Sequence, residues 1–155
     1  ICDIKISYDR NWQSKHWKTI LQADSKSPFF SDYSKGIENI YESKYENLLN
    51  FNLDLINYFR TELKIKTPLY FSSELNLNKA SSDMIIQICK LMRANIYKSG
   101  VGGYNYLELD KFKENNIEVR FEKNTNDINF REELSILDQI FNYGADKLIK
   151  KLKNQ

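Results

Sequence analysis

The chain has 155 residues, room for one domain with a genuine core. Its 41% hydrophobic and 14% aromatic content excludes a disordered polymer, and a net charge of +2 gives no global electrostatic case for nucleic acid. No apolar run approaches the roughly 18 residues of a membrane span. The two cysteines, Cys2 and Cys89, have neither metal-ligand spacing nor a disulfide framework, so a reducing cytoplasm is the expected compartment.

The sequence opens Ile1-Cys2-Asp3, without an initiator Met and in the middle of a strand-like pattern, and so reads as a fragment. Cys2-Asp3-Ile4-Lys5-Ile6-Ser7 alternates apolar and polar residues, the mark of a half-buried strand. Asp9 or Asn11 is placed to cap a helix on which Trp12, His16, Trp17 and Ile20 recur at helical spacing. Pro28 interrupts that pattern, and Phe29-Phe30 begins a short helical or irregular stretch through Ile37, Ile40 and Tyr41. From Lys44 to Leu63, Tyr45, Leu48, Leu49, Leu55, Ile56, Phe59 and Leu63 form a stripe of helical period. Asn52 falls on that stripe, where a polar side chain needs a partner, in most proteins a backbone group and in a minority a ligand.

Strands and helices then alternate. Pro68 to Phe71 reads as a strand running into Ser72-Ser73-Glu74, and Ser81 and Ser82 as caps of a helix carrying Ile85, Ile88, Cys89 and Met92. Ile96-Tyr97 is a second strand, Leu109 and Phe112 mark a short helix, and Asn115-Asn116 turns the chain into the strand Ile117–Phe121. The 124–129 segment reads as a polar loop, and Leu134, Leu137, Ile140 and Phe141 as a helix that Gly144 ends at C′. The basic tail Lys147, Lys150, Lys151 and Lys153 reads as a solvated helix face, with a membrane surface the lesser alternative. Short connections in β-α-β-α-β order predict an α/β fold, a small mostly parallel sheet with flanking helices in one domain over residues 1–155.

Between the second strand and the next helix lies Ser99-Gly100-Val101-Gly102-Gly103-Tyr104-Asn105-Tyr106. A glycine cluster there lets backbone amides face an anion, although a tight turn without a ligand is the commoner meaning. It is neither G-x-G-x-x-G nor a P-loop. Ligands of parallel sheets bind outside the carboxyl ends of the strands. Ser72, Ser73 and Glu74 are therefore expected to share one cleft with Ser99, Gly100, Gly102 and Gly103, the last two with φ > 0.

These segments together resemble the WbqC-like protein family. The resemblance is carried by His16-Trp17-Lys18-Thr19-Ile20, Ser27-Pro28-Phe29-Phe30, Tyr45-Glu46-Asn47-Leu48-Leu49, Asn52-Leu53-Asp54-Leu55-Ile56 and Ser72-Ser73-Glu74-Leu75. It continues in Ile88-Cys89-Lys90, the 97–107 stretch, Leu134-Ser135-Ile136-Leu137-Asp138 and Phe141-Asn142-Tyr143-Gly144. The family's N-terminal Gln-Pro turn and Gly-Tyr-Phe helix start are not found, so the chain reads as the C-terminal two-thirds of such a protein. Tyr104 and Asn105 stand where the family has a basic residue and Asp, and Asp24 where it has an aromatic.

The resemblance implies a cytoplasmic bacterial protein of surface polysaccharide (O-antigen, lipopolysaccharide) biosynthesis that transfers glycine or another acyl group onto a nucleotide sugar. The alternative is a non-catalytic sugar-nucleotide-binding or scaffold protein of the same pathway. Acyl transfer to an amine needs a base and donors facing the oxyanion. His16, the single histidine, is the candidate base, because histidine ordinarily titrates near neutrality. A lone histidine is, however, more often a packed or surface residue, and Glu74 is the substitute. Asn52, Ser72, Ser73, Glu74, Ser99, Gly100, Gly102, Gly103, Tyr104 and Tyr106 are the candidate substrate-binding residues. The serines lack a nucleophile-elbow context and serve as hydrogen-bonding groups. No metal site is expected: there is one His, and Asp127 with its Asn neighbours fails EF-hand spacing. The expected partner is a nucleotide sugar or related small molecule, with no nucleic acid and no membrane span. Cofactor and oligomeric state stay unassigned.

Overall fold

A computed structural model describes residues 3–121 and 135–153. The expected polar loop at 124–129, Leu134, and Cys2 lie outside the described residues. In chain order the elements are α1 (Trp12–Asp24), α2 (Phe30–Glu42), α3 (Leu48–Glu62), α4 (Ser81–Leu91), β1 (Ile96–Ser99), α5 (Leu109–Glu114), β2 (Glu118–Phe121) and α6 (Ile136–Lys153). Short 3-10 turns cover Ser72–Glu74 and Val101–Asn105. The chain is α/β, with a small parallel sheet as expected. It divides into two compact units, Ile1–Thr67 with Ile128–Gln155, and Pro68–Asp127.

In the first unit Asn11 caps α1 and Asn47 caps α3, their side-chain oxygens accepting from the amides of Ser14 and Asn50. The apolar stripes meet in a core of Ile37, Leu63, Ile140, Phe141, Ala145 and Leu148, rimmed by Trp17, Phe30 and Tyr41. Gly144 does end a helical run, but the helix resumes beyond it. Gly144 takes φ 73° and ψ 158°, kinking α6. Such a break frees backbone groups that must be satisfied. The Phe141 carbonyl accepts from the Phe29 amide at 3.0 Å, and the Ala145 amide donates to the Tyr33 hydroxyl at 2.9 Å.

Of the alternating Cys2–Ser7 segment, the described residues 3–7 form no strand. It makes one antiparallel bridge, Lys5 to Asn47, and Ile4 stays half-exposed. Alternation gives a segment two faces, but a ladder also needs a partner of equal length. Here the partner is the short run before α3, where the Ile6 amide reaches Glu46 and the Leu48 amide reaches Ile4.

In the second unit β1 and β2 pair in parallel, Ile96 with Glu118 through Ser99 with Phe121. Tyr97, Val119 and Phe121 turn toward a core of Ile86, Cys89, Leu107, Phe112 and Ile117. Burial pushes the Cys89 thiol above its usual range, so it is a packed thiol. Asn116 takes φ 57° after α5, with the Asn116 amide donating to Lys113 and the Ile117 amide to Phe112. This doubly bonded helix end starts the run into β2, as the Asn-Asn pair predicts. Arg93, at φ 52°, ends α4 the same way just before β1.

Two expectations fail in this unit. Pro68 to Phe71 forms no strand, and Leu69 and Tyr70 are exposed. Proline lacks an amide for a ladder, and no described segment lies in register beside these residues. Ser81 and Ser82 do not cap α4: the N-cap is Ala80, and the buried Ser82 hydroxyl instead accepts from the Glu108 amide at 3.0 Å.

Candidate functional site

Because β1 and β2 run parallel, their carboxyl ends, Ser99 and Phe121, share one edge of the sheet. The glycine turn leaves from that edge. The Gly103 amide donates to the Gly100 carbonyl at 2.9 Å, and the Leu107 amide donates to the Gly103 carbonyl at 2.9 Å. The expected φ > 0 at Gly102 and Gly103 does not occur: among the described glycines Gly144 alone has it. A 3-10 turn holds its residues on the negative-φ side, so the chain reverses without left-handed backbone. Among the described residues the amides of Val101 and Gly102 make no hydrogen bond.

The glycines differ in what they do. A Cβ at Gly103 would strike Ser99 Oγ and lie 3.0 Å from Leu107 Cδ1 and 3.1 Å from Phe121 Cε1, whereas Gly100 and Gly102 face open space. Gly103→Ala should therefore cost about 1–3 kcal/mol through overpacking. Gly102→Ala should leave the melting temperature within a degree or two. Parallel thermal melts check this, and equal losses would show that the turn tolerates no side chain anywhere.

Tyr104 lies flat on Phe121, ring centroids 3.5 Å apart, and remains 64% exposed. Tyr106 is also exposed. Ser99 is buried, its hydroxyl donating to the Gly100 carbonyl at 3.1 Å. Ser72, Ser73 and Glu74 are exposed on their own 3-10 turn, which follows irregular chain and not a strand end. Among the described residues no hydrogen bond or ring contact joins them to the glycine turn.

His16 and Asn52 belong to the first unit. His16 is an exposed residue of α1, edge-on to Trp12 at 5.3 Å and to Tyr41 at 6.3 Å. Phe51 packs against Trp12 and Tyr41 at 5.4 Å each, and Asn52, half-buried, follows it on α3. Tyr45 closes this aromatic cluster and donates to Asp54 Oδ2 at 2.7 Å. Burial, reinforced by Asp54, pushes the Tyr45 hydroxyl up to about 12. His16 thus sits against aromatic rings, and no described carboxylate bonds to its imidazole.

An open groove of about 740 Å³ runs along the second unit, lined by Asn95 and Ile96, by Asp110 and Lys113 of α5, and by the 116–120 run. None of the expected site residues lines it. Glu118 and Arg120 share two hydrogen bonds of 2.8 and 2.7 Å within it, so those charges are already matched. The pairing keeps the Glu118 carboxyl below its usual range. Among the described residues no cluster of three or more His, Cys, Asp or Glu could hold a metal ion, and no helix is long and apolar enough to cross a membrane.

The model of the WbqC-like protein family matches residues 1–150. The chain belongs to the WbqC-like protein family. A match that starts at residue 1 does not bear out the expectation of a missing N-terminal portion. No curated protein and no solved structure matches this WbqC-like chain. The match covers both units and every expected site residue, from His16 to Tyr106.

Proposed function

We propose that this WbqC-like protein acts in bacterial surface polysaccharide biosynthesis, in the cytoplasm, transferring glycine or another acyl group to the amine of a nucleotide sugar. Residues 1–155 are taken as a single domain of the family. The observation that supports this reading is the family match over residues 1–150. The amine nitrogen attacks the acyl carbonyl, His16 takes the amine proton, and the acyl carrier leaves. The glycine turn offers the amides of Val101 and Gly102 to an oxyanion or a phosphate. Tyr104 and Tyr106 offer ring faces and hydroxyls to the sugar. Ser72, Ser73, Glu74 and Asn52 serve as hydrogen-bonding groups. Ser99 and Gly103 shape the turn from beneath, and Gly100 starts it.

The second reading, a sugar-nucleotide-binding or scaffold protein without chemistry, draws on the surroundings of His16. Histidine bases are usually oriented by a second group, and aromatic edges do not fix a tautomer. Thermal shifts of the protein with nucleotide sugars and ATP test binding under either reading. His16→Ala is expected to keep the wild-type melting temperature and ligand shift while abolishing sugar modification in cells. Unchanged surface polysaccharide in the variant would remove the catalytic role and leave the binding reading. Absence of any ligand shift would overturn both.

A further inference from the structure

Among the described residues the sheet of the second unit holds two strands, so β2 presents an edge. Its backbone groups divide by parity. The Glu118 amide donates to the Asn95 carbonyl at 2.8 Å, on the β1 side. Neighbouring residues of a strand turn their backbone groups to opposite sides, so Val119 and Phe121 direct theirs away from β1. Ile117 does the same, but its amide is committed to the Phe112 carbonyl at 2.9 Å, and its carbonyl is the group it offers there. The open groove of about 740 Å³ takes in Ile117, Glu118, Val119 and Arg120 in succession. Side chains of a strand alternate between faces, so a groove lined by four in a row follows the strand's edge.

The charges along this edge complement themselves. Glu118 and Arg120 stand on the exposed face, one on either side of Val119. An antiparallel copy of β2, related by a two-fold axis at Val119, sets Glu118 opposite Arg120 of the second copy and Arg120 opposite its Glu118. Those are the non-hydrogen-bonded positions of such a ladder, where facing side chains lie closest. The two Val119 residues exchange amide-to-carbonyl bonds across the axis, and each Phe121 amide reaches the Ile117 carbonyl of the other copy. Moving the axis to Glu118 or to Arg120 would put like charges face to face, which a sheet disfavours. The β1 strand, Ile-Tyr-Lys-Ser, lacks this symmetry: it carries one lysine and no acid.

We propose that β2 is a self-association edge: two copies of this chain pair β2 to β2, antiparallel about Val119, and join their two-stranded sheets into one of four strands. The interface is isologous, the same patch on each copy. Glu118 and Arg120 keep the bonds of 2.8 and 2.7 Å within their own strand, and each gains an opposite charge across the axis. So short a strand gives a small contact, and a reversible dimer with a Kd of about 10–100 µM is expected.

Sedimentation velocity of the whole chain, from about 1 µM to about 1 mM, should show the mass rising from 18.4 kDa toward twice that value. Arg120→Glu and Glu118→Arg should each weaken the homodimer about tenfold or more, because each sets like charges across the axis. An equimolar mixture of the two variants should recover the dimer, since an acidic strand then faces a basic one. The double exchange in one chain, Glu118→Arg with Arg120→Glu, should recover it as well. Deuterium exchange at the Val119 amide should slow as the wild type is concentrated. A wild type that stays monomeric across the range overturns the proposal, and an edge covered within the chain or kept for a different protein gives that result. So does a mixture that stays monomeric although both variants melt as wild type does, or a dimer whose Val119 amide exchanges as fast as the monomer's.

Discussion

Gly144→Ala should lower stability by about 3 kcal/mol, the sum of a strained backbone and an overpacked ring contact. The backbone at φ 73°, ψ 158° lies in a region that only glycine enters without strain. The new methyl would meet two atoms of the Phe29 ring at 3.1 Å. The kink cannot straighten to relieve this, because Phe29 and Tyr33 hold the backbone groups that it frees. A fall of roughly 6–12 °C in melting temperature is expected for a chain of this length. Gly100→Ala is the control: with φ −64° and open space around it, alanine fits there. A Gly144→Ala protein that melts within two degrees of wild type would show that α6 runs straight through this position.

Phe112→Ala should cost about 3–5 kcal/mol, the usual range for truncating a fully buried phenylalanine. Phe112 has no exposed surface and is among the largest fully buried side chains. It stacks on Tyr97 of β1 with centroids 5.7 Å apart, and its carbonyl accepts from the Ile117 amide that leads into β2. Emptying its place removes the ring that β1 rests on and leaves a cavity beneath the two paired strands. Hydrogen exchange should accelerate in β1, β2 and α4. Phe112→Leu should recover most of the loss, since it restores most of the volume. A Phe112→Ala protein with unchanged exchange in β1 and β2 would mean that the sheet does not depend on this ring.

The functional proposal is less dependent on stability than on access. Tyr104, held flat against Phe121, and the two unbonded amides of the turn are open to a ligand, while Ser99 and Gly103 are not. Ser99→Ala and Tyr104→Ala should therefore separate: the first changes packing, the second ligand shift.

Several elements were legible because the signals that make them are local. The stripe from Leu48 to Leu63 needs only its own 3.6-residue period. The β1-α5-β2 unit needs only two short β-branched runs, Phe112 between them, and Asn116 able to take φ 57°. What the amino-acid order could not decide was partnership. Cys2–Ser7 and Pro68–Phe71 look like strands from their own residues, but a strand exists only when another lies in register beside it, and among the described residues none does. The sign of φ at a glycine is equally a matter of surroundings: the 3-10 turn kept Gly102 and Gly103 negative, and the packing of Phe29 and Tyr33 forced Gly144 positive. Phe29 and Phe141 lie far apart in the chain and meet, amide to carbonyl, only because α2 and α6 share a core. Periodicity and turn chemistry are written along the chain, whereas ladders, buried charges and close approaches arise from what the fold brings alongside.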